Sequence, residues 1–451
     1  MGDPAAVFLA YDIRGLVPEQ LDTELARRIG GAFARLVRRS EPDTGRIVLG
    51  RDMRDSGVEL AGAFADGITT EGLDVVDLGL VSTDMIYFAS GHLDAPGAVF
   101  TASHNPAGYN GIKLCLSAAR PVGADSGLAE MQADLSAPPQ AGGGATGTTT
   151  TLDLLDAFAG HVRSFVDTTA LAPLRVVADT ANGMGGLVVP AVFDGLPLDL
   201  EVMYADLDGT FPNHPADPLQ PDNLAALQER VLATGADIGL AFDGDADRVF
   251  LVDEGARPVS GSLTTALVAS TVLSHQPGAT VIHNLICSRS VPEAIAEHGG
   301  RAVRSRVGHS YIKELMATEG AAFAGEHSGH YYFADNYRAD SGLIAALLVL
   351  EALSAFDGTL SELLAPFDRY AASGEINFSV DDPAAVVEQV SLAYAATGSQ
   401  DTLDGLTVDM GAWWFNLRPS NTEPLLRLNL EAATATDCAA RLAEVSAIIA
   451  Q

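Results

Sequence analysis

The sequence predicts an α/β protein divided into several domains. Three observations predict it: a length of 451 residues, a composition rich in apolar residues and glycine, and short apolar runs that alternate with stretches of helical spacing. One core does not extend over so long a chain, since domains hold about 100 to 200 residues. Apolar residues make up 47% and charged residues 19%, a composition that buries cores well and is far from that of a disordered chain.

Taken in order, residues 47–49 and 98–101 read as short buried strands, and 21–37 and 58–70 space their apolar residues as helices do. Between residues 137 and 151 a Pro-Pro pair, three consecutive Gly and four consecutive Thr show no hydrophobic period, which marks a linker and closes a first domain, 1–150. Residues 174–178, 238–242 and 249–252 read as strands, with a turn at Glu254-Gly255, and define a second domain, 151–256. Helical 263–273, the strand 279–283 and helical 343–353 define a third, 257–368. Residues 375–380, 412–418 and 425–430 with helical 384–394 and a last helix from 433 make a smaller α+β domain, 369–451. The greasiest stretch, 343–350, is far shorter than the roughly 20 residues of a membrane helix and reads as a core helix.

A net charge of −33 opposes binding to nucleic acid or an anionic membrane. It also raises the weight of each base found beside a motif, because such a base is a candidate anion ligand. Cys115, Cys287 and Cys438 form no Cys-x-x-Cys pair, so a reducing cytoplasm is expected, with neither disulfides nor structural zinc. Residues 1–15 lack a basic segment and an apolar run, so neither an export signal nor a lipid anchor is expected.

Two segments carry most of the chemistry. Thr101-Ala102-Ser103-His104-Asn105-Pro106 follows a strand, and Pro106 and Gly108 keep a helix from starting at Ser103. An exposed loop is expected there, with His104 and Lys113 as nearby proton carriers; the plain alternative is a polar turn. Asp243-Gly244-Asp245-Ala246-Asp247-Arg248 also follows a strand, and its alternating carboxylates can converge on one hard cation, Mg2+ or Ca2+. An EF-hand is disfavoured, since Arg248 takes the sixth place where that loop needs Gly, and the flanks read as strands. Three carboxylates leave sites for other ligands, which suits phosphoryl chemistry.

Together these segments resemble the α-D-phosphohexomutase superfamily, most closely its bacterial phosphomannomutase/phosphoglucomutase branch. The resemblance implies that Ser103 carries a transferable phosphoryl group and that Asp243, Asp245 and Asp247, with the Ser103 oxygen, hold Mg2+. It gives catalytic places to His104, to Arg248, to Arg14 of Tyr11-Asp12-Ile13-Arg14-Gly15, and to Lys113 as a general acid/base whose pKa its neighbours would need to lower. Gly325-Glu326-His327-Ser328-Gly329-His330 is similar to the family's sugar-recognition loop, which implies that Glu326 and Ser328 bond the sugar 3- and 4-hydroxyls and that His330 binds substrate. A zinc site at that loop is disfavoured, because the His-Glu-x-x-His spacing is missing. His309 in Val307-Gly308-His309-Ser310 would face the sugar. Arg418, Ser420, Asn421 and Thr422 would cradle the phosphate that is not reacting. One position departs from the pattern, since Ile286 stands where the branch often has a sugar-contacting Lys, and this leaves mannose against glucose open.

The fold implied is three related α/β domains and a smaller C-terminal α+β domain around a central cleft. The activity implied is an isomerase-class phosphotransfer between mannose 6-phosphate and mannose 1-phosphate, with glucose phosphates as further substrates and hexose 1,6-bisphosphate as intermediate and activator. Hexose phosphates are the expected partners of a monomer or homodimer. Phosphoglucomutase and phosphoglucosamine mutase are the neighbouring alternatives, the latter usually having Gln where His327 stands. A catalytically silent phosphosugar-binding protein is the non-enzyme alternative. A serine hydrolase is disfavoured by the lack of a Gly-x-Ser-x-Gly elbow.

Overall fold

The computed structural model describes residues 4–9, 11–136, 145–419 and 425–450. The chain divides into two compact units, Met1–Ser260 with Ser328–Leu363, and Gly261–His327 with Leu364–Gln451. The stretch expected to form a third domain therefore contributes to both.

In the first unit, one sheet runs in the order Ile13–Leu16, Tyr109–Leu116, Gly97–Phe100, Arg46–Arg51, Asp74–Leu80 and Thr149–Thr151. Its centre is parallel and its Ile13–Leu16 side antiparallel. The helices Thr23–Ser40 and Ser56–Thr70 form where the apolar spacing predicts them. Asp22 caps the first by accepting from the Leu25 N–H at 2.8 Å, and Ile29, Phe33 and Val37 are buried along one face.

Thr149–Thr151 corrects the linker reading, because it is a strand that pairs in parallel with Asp74–Leu80. All three Thr are exposed, so an apolar period had no role there, while β-branched side chains suit the pleat.

The second sheet of this unit runs Pro258–Val259, Val249–Asp253, Ile238–Phe242, Arg175–Asp179, Asp199–Met203. Every residue of Ile238–Phe242 and of Val249–Asp253 is buried, which explains their apolar composition up to the terminal Asp253. Phe242 pairs with Val249, so residues 243–248 are the connection of an antiparallel hairpin. A further hairpin, Tyr331–Phe333 with Ala339–Asp340, leads into the buried helix Gly342–Ala355.

In the second unit, Thr280–Asn284 lies parallel between Arg301–Ser305 and Phe323–Gly325. An antiparallel sheet follows in the order Ala371–Phe378, Leu426–Ala432, Trp413–Pro419, Leu406–Asp409, Ser399–Asp401. The helices Pro383–Tyr394 and Ala435–Ile449 pack on it through Val390, Tyr394, Val445 and Ile449. Among the described residues no helix is long and apolar enough to cross a membrane.

Candidate active site

Two hairpin connections meet in the first unit. Phe100 pairs with Ile112 across antiparallel strands, so Ser103 sits in the connection between them, while Arg14 pairs with Gly111 and Lys113 with Val99 on adjoining strands. Arg14, far away in sequence, is thereby brought beside the strand that carries Lys113 and follows the Ser103 connection. The Ser103 N–H donates to Thr101 Oγ1 at 2.9 Å, and the residue is held at a positive φ of 48°.

Ser103 is not exposed, as the turn chemistry led one to expect, but only 5% accessible. The aspartate connection covers it: a Cβ placed on Gly244 would lie 2.4 Å from the Ser103 carbonyl oxygen, so only glycine permits this approach. The approach sets the key contact, in which Ser103 Oγ donates to Asp243 Oδ2 at 2.7 Å.

Around that contact the charges interlock. Arg248 donates through Nε to Asp243 Oδ2 at 2.9 Å and through its backbone N–H to Oδ1 at 3.2 Å, and its Nη2 lies 2.8 Å from His104 Nδ1 and 3.5 Å from Ser103 Oγ. Burial, then the cations Arg248 and Arg14, push His104 down to about 2, so its ring is neutral. Lys113 Nζ bridges Asp245 Oδ2 at 2.8 Å and Asp247 Oδ2 at 2.5 Å. Acid/base duty would need these neighbours to lower its pKa, and they do the opposite. Burial does push the ammonium downward, but Asp245 and Asp247 outweigh burial and hold Lys113 well above its ordinary value. Arg14 donates to Asp12 and to Asn105 Oδ1, and its buried Nε has no partner among the described residues.

A cation fits here on two observations. One carboxylate oxygen each from Asp243, Asp245 and Asp247 lie within 4.8 Å of one another, and the Oδ1 atoms of Asp245 and Asp247 are buried without a hydrogen-bond partner among the described residues. Burial and the like charges of Asp247 and Asp245 push Asp243 up to about 7 although Arg248 opposes them, a crowding that a divalent cation relieves.

Several participants were missed by sequence reasoning. Thr83, at the start of the helix Thr83–His92, donates through Oγ1 to Asp245 Oδ2 at 2.6 Å and through its N–H to the Asp245 carbonyl at 3.0 Å. Asp340 holds His330 at Nδ1 (2.9 Å), and the same nitrogen lies 4.0 Å from Asp247 Oδ1. No sequence signal marks either partner, since both arrive from separate elements. Ser328 is half-buried in the same unit.

The second unit carries the other expected residues. Glu326 is buried and accepts from Asn284 Nδ2 at 3.1 Å, while His309 opens the helix His309–Glu319. Arg418 is buried, donates to Glu375 Oε2 at 3.1 Å, and pairs across the sheet with Arg427, a second base on Glu375 that the motif did not reveal. Glu326 is close enough to act on the Arg418 charge. Ser420, Asn421 and Thr422 lie outside the described residues.

A serine hydroxyl set on a buried three-carboxylate cluster beside two bases defines a candidate phosphoryl-transfer centre. Comparison with known proteins agrees along the whole chain. Residues 5–133, 155–256 and 260–370 match phosphoglucomutase/phosphomannomutase α/β/α domains I, II and III, and 375–447 match the C-terminal domain. The phosphohexose mutases of Xanthomonas campestris pv. campestris are 41% identical over 427 residues, 94% of each chain. The phosphomannomutase of Salmonella montevideo is 40% identical over 436 residues, again 94% of each. A crystal structure of a phosphoglucomutase/phosphomannomutase family protein from Burkholderia thailandensis superposes with a TM-score of 0.89 at 32% identity, covering 98% of this chain and 97% of that one. The chain belongs to the phosphoglucomutase/phosphomannomutase family of the α-D-phosphohexomutase superfamily. It therefore has the four-domain architecture expected from the sequence and is an isomerase-class phosphotransferase.

Proposed function

We propose that this phosphohexomutase is Mg2+-dependent, interconverts mannose 6-phosphate and mannose 1-phosphate through a phosphoserine at Ser103, and accepts glucose phosphates as further substrates. The observation that carries the reading is the 2.7 Å contact between Ser103 Oγ and Asp243, within hydrogen-bonding distance of Arg248. The preference for mannose is supported by phosphomannomutases at about 40% identity.

In the forward half-reaction the bond from phosphorus to Ser103 Oγ breaks as a bond to the free hydroxyl oxygen of a hexose phosphate forms, giving a hexose 1,6-bisphosphate. The proton of that hydroxyl passes to a base. His330, oriented through Nδ1 by Asp340, is suited to accept it at Nε2. Arg248 stabilises the departing Ser103 oxygen. Mg2+ held by Asp243, Asp245, Asp247 and the Ser103 oxygen would offset charge on the transferring group. In the reverse half-reaction the other phosphate returns to Ser103, so one sugar must bind in two orientations. Glu326, Ser328 and His309 would read its hydroxyls and Arg418 would hold the idle phosphate. With three cysteines buried and unpaired, we place the enzyme in the cytoplasm.

A coupled assay with mannose, glucose and glucosamine phosphates, each with catalytic hexose 1,6-bisphosphate, ranks the substrates; glucosamine phosphate ranked first would overturn the assignment. Activity should vanish with EDTA and return with Mg2+. Ser103→Ala should abolish turnover and the phosphoserine mass shift while keeping the native circular-dichroism spectrum; turnover retained in that variant defeats the nucleophile assignment.

A further inference from the structure

Arg54 follows the strand Arg46–Arg51 and belongs to none of the motifs above, yet its side chain is 1% accessible and all of it is engaged. Nη2 donates to the carbonyls of Ser103 at 2.9 Å and Asn105 at 2.7 Å. Nη1 donates to the carbonyls of Pro106 at 2.9 Å and Tyr109 at 3.0 Å. Nε bonds Asp52 Oδ2 at 3.2 Å, and Asp52 Oδ1 accepts the Arg54 backbone N–H at 2.9 Å. The ring of Phe211 lies 5.1 Å from the guanidinium carbon, and Gly209 packs against the Arg54 backbone, where a Cβ would come within 2.7 Å. One planar cation thus gathers three carbonyls of the Ser103 connection and that of Tyr109, which opens the strand after it.

We propose that Arg54 is the positioning residue of the phosphoryl-transfer loop: by fixing the Ser103 carbonyl it holds the positive-φ backbone that sets Oγ against Asp243. It touches no reacting atom. The five N–H groups of a guanidinium match this set of acceptors, and a lysine ammonium at the same place supplies three donors from a single point. The inference rests on the proposed role of Ser103.

The test is steady-state kinetics of Arg54→Lys and Arg54→Ala, together with the mass of Ser103 before and after hexose 1,6-bisphosphate. Arg54→Lys should lose about 100-fold in kcat, the scale of an ångström of misplacement, with KM within about threefold of wild type. Guanidinium at low millimolar concentration should restore part of the Arg54→Ala activity while equal NaCl does not, which a merely structural loss would not show. If Arg54→Ala does not fold, Arg54→Lys decides alone. Wild-type kcat in Arg54→Lys, or a loss confined to KM, overturns the proposal. Failure to phosphorylate Ser103 in the wild type overturns instead the reading on which it rests.

Discussion

Gly244 is the place where a single methyl group should separate the two halves of the proposed catalytic contact. A Cβ there would sit 2.4 Å from the Ser103 carbonyl oxygen, about 1 Å inside the 3.4 Å at which ordinary contact begins. Neither side yields easily. The carbonyl is held by Arg54 Nη2 at 2.9 Å, and the Gly244 carbonyl accepts the Met184 N–H at 2.9 Å on its other side. The relief open to Gly244→Ala is for the two connections to part by about 1 Å, which stretches the 2.7 Å bond from Ser103 Oγ to Asp243 to about 3.7 Å, beyond hydrogen-bonding range. Such a shift costs about 100-fold in kcat, and the overpacking costs about 1 to 3 kcal/mol of stability. KM should hold, because no residue expected to touch the sugar moves. The coupled mutase assay reads kcat and KM, and urea unfolding reads the stability. A variant with wild-type kcat and unchanged unfolding midpoint would refute the view that this backbone approach sets the reacting geometry.

Three further outcomes are expected. Burial pushes His283 from 6.5 down to about 4, so the unfolded chain binds a proton that the folded chain refuses between those values. Stability is therefore full above about pH 6.5 and falls by about 3 kcal/mol as pH drops toward 4; His283→Asn should flatten thermal midpoints between pH 7 and 4.5, and an unchanged slope counts against this. With a net charge of −33, raising NaCl from about 0.1 M to about 1 M shortens the screening length from ~10 Å to ~3 Å and should raise the melting temperature; a flat response means self-repulsion is minor. Glu326→Ala should raise KM for hexose phosphates about 10- to 100-fold, as loss of charged hydrogen bonds worth about 1.5 to 3 kcal/mol requires, while Ser103 still becomes phosphorylated; an unchanged KM means the sugar is read elsewhere.

Legibility in the sequence followed sequence distance. The strands 238–242 and 249–252 were readable because fully buried strands are written as unbroken apolar runs, and the aspartates between them are local to one hairpin connection. What covers and braces that connection was not readable. Ser103 was expected at the surface because its own segment is polar, and it is buried by Gly244, which lies far along the chain. Thr83, Asp340 and Arg54 act through contacts that no local spacing encodes. The signal for Arg54 was chemical: in a chain this acidic, an Arg flanked by Asp52 and Asp55 just after a strand is a base with work to do.

The state of Lys113 shows why charge, and not spacing, decides its role. Sequence resemblance gives it acid/base duty, which at neutral pH favours an amine near pH 7, yet the two aspartates it bridges hold it firmly protonated. With all three carboxylates ionised, as holding a divalent cation requires, Lys113 and Arg248 leave the cluster one charge short of neutral, before any phosphate arrives. A phosphoserine dianion at Ser103 would add repulsion that those two cations cannot absorb, so loading the serine and binding a divalent cation must be thermodynamically coupled. Mg2+ affinity should accordingly be higher in the phosphorylated protein than in Ser103→Ala, measured by calorimetry. Equal affinities in the two would mean that the carboxylate cluster and the serine act independently, and that the 2.7 Å contact between them is only structural.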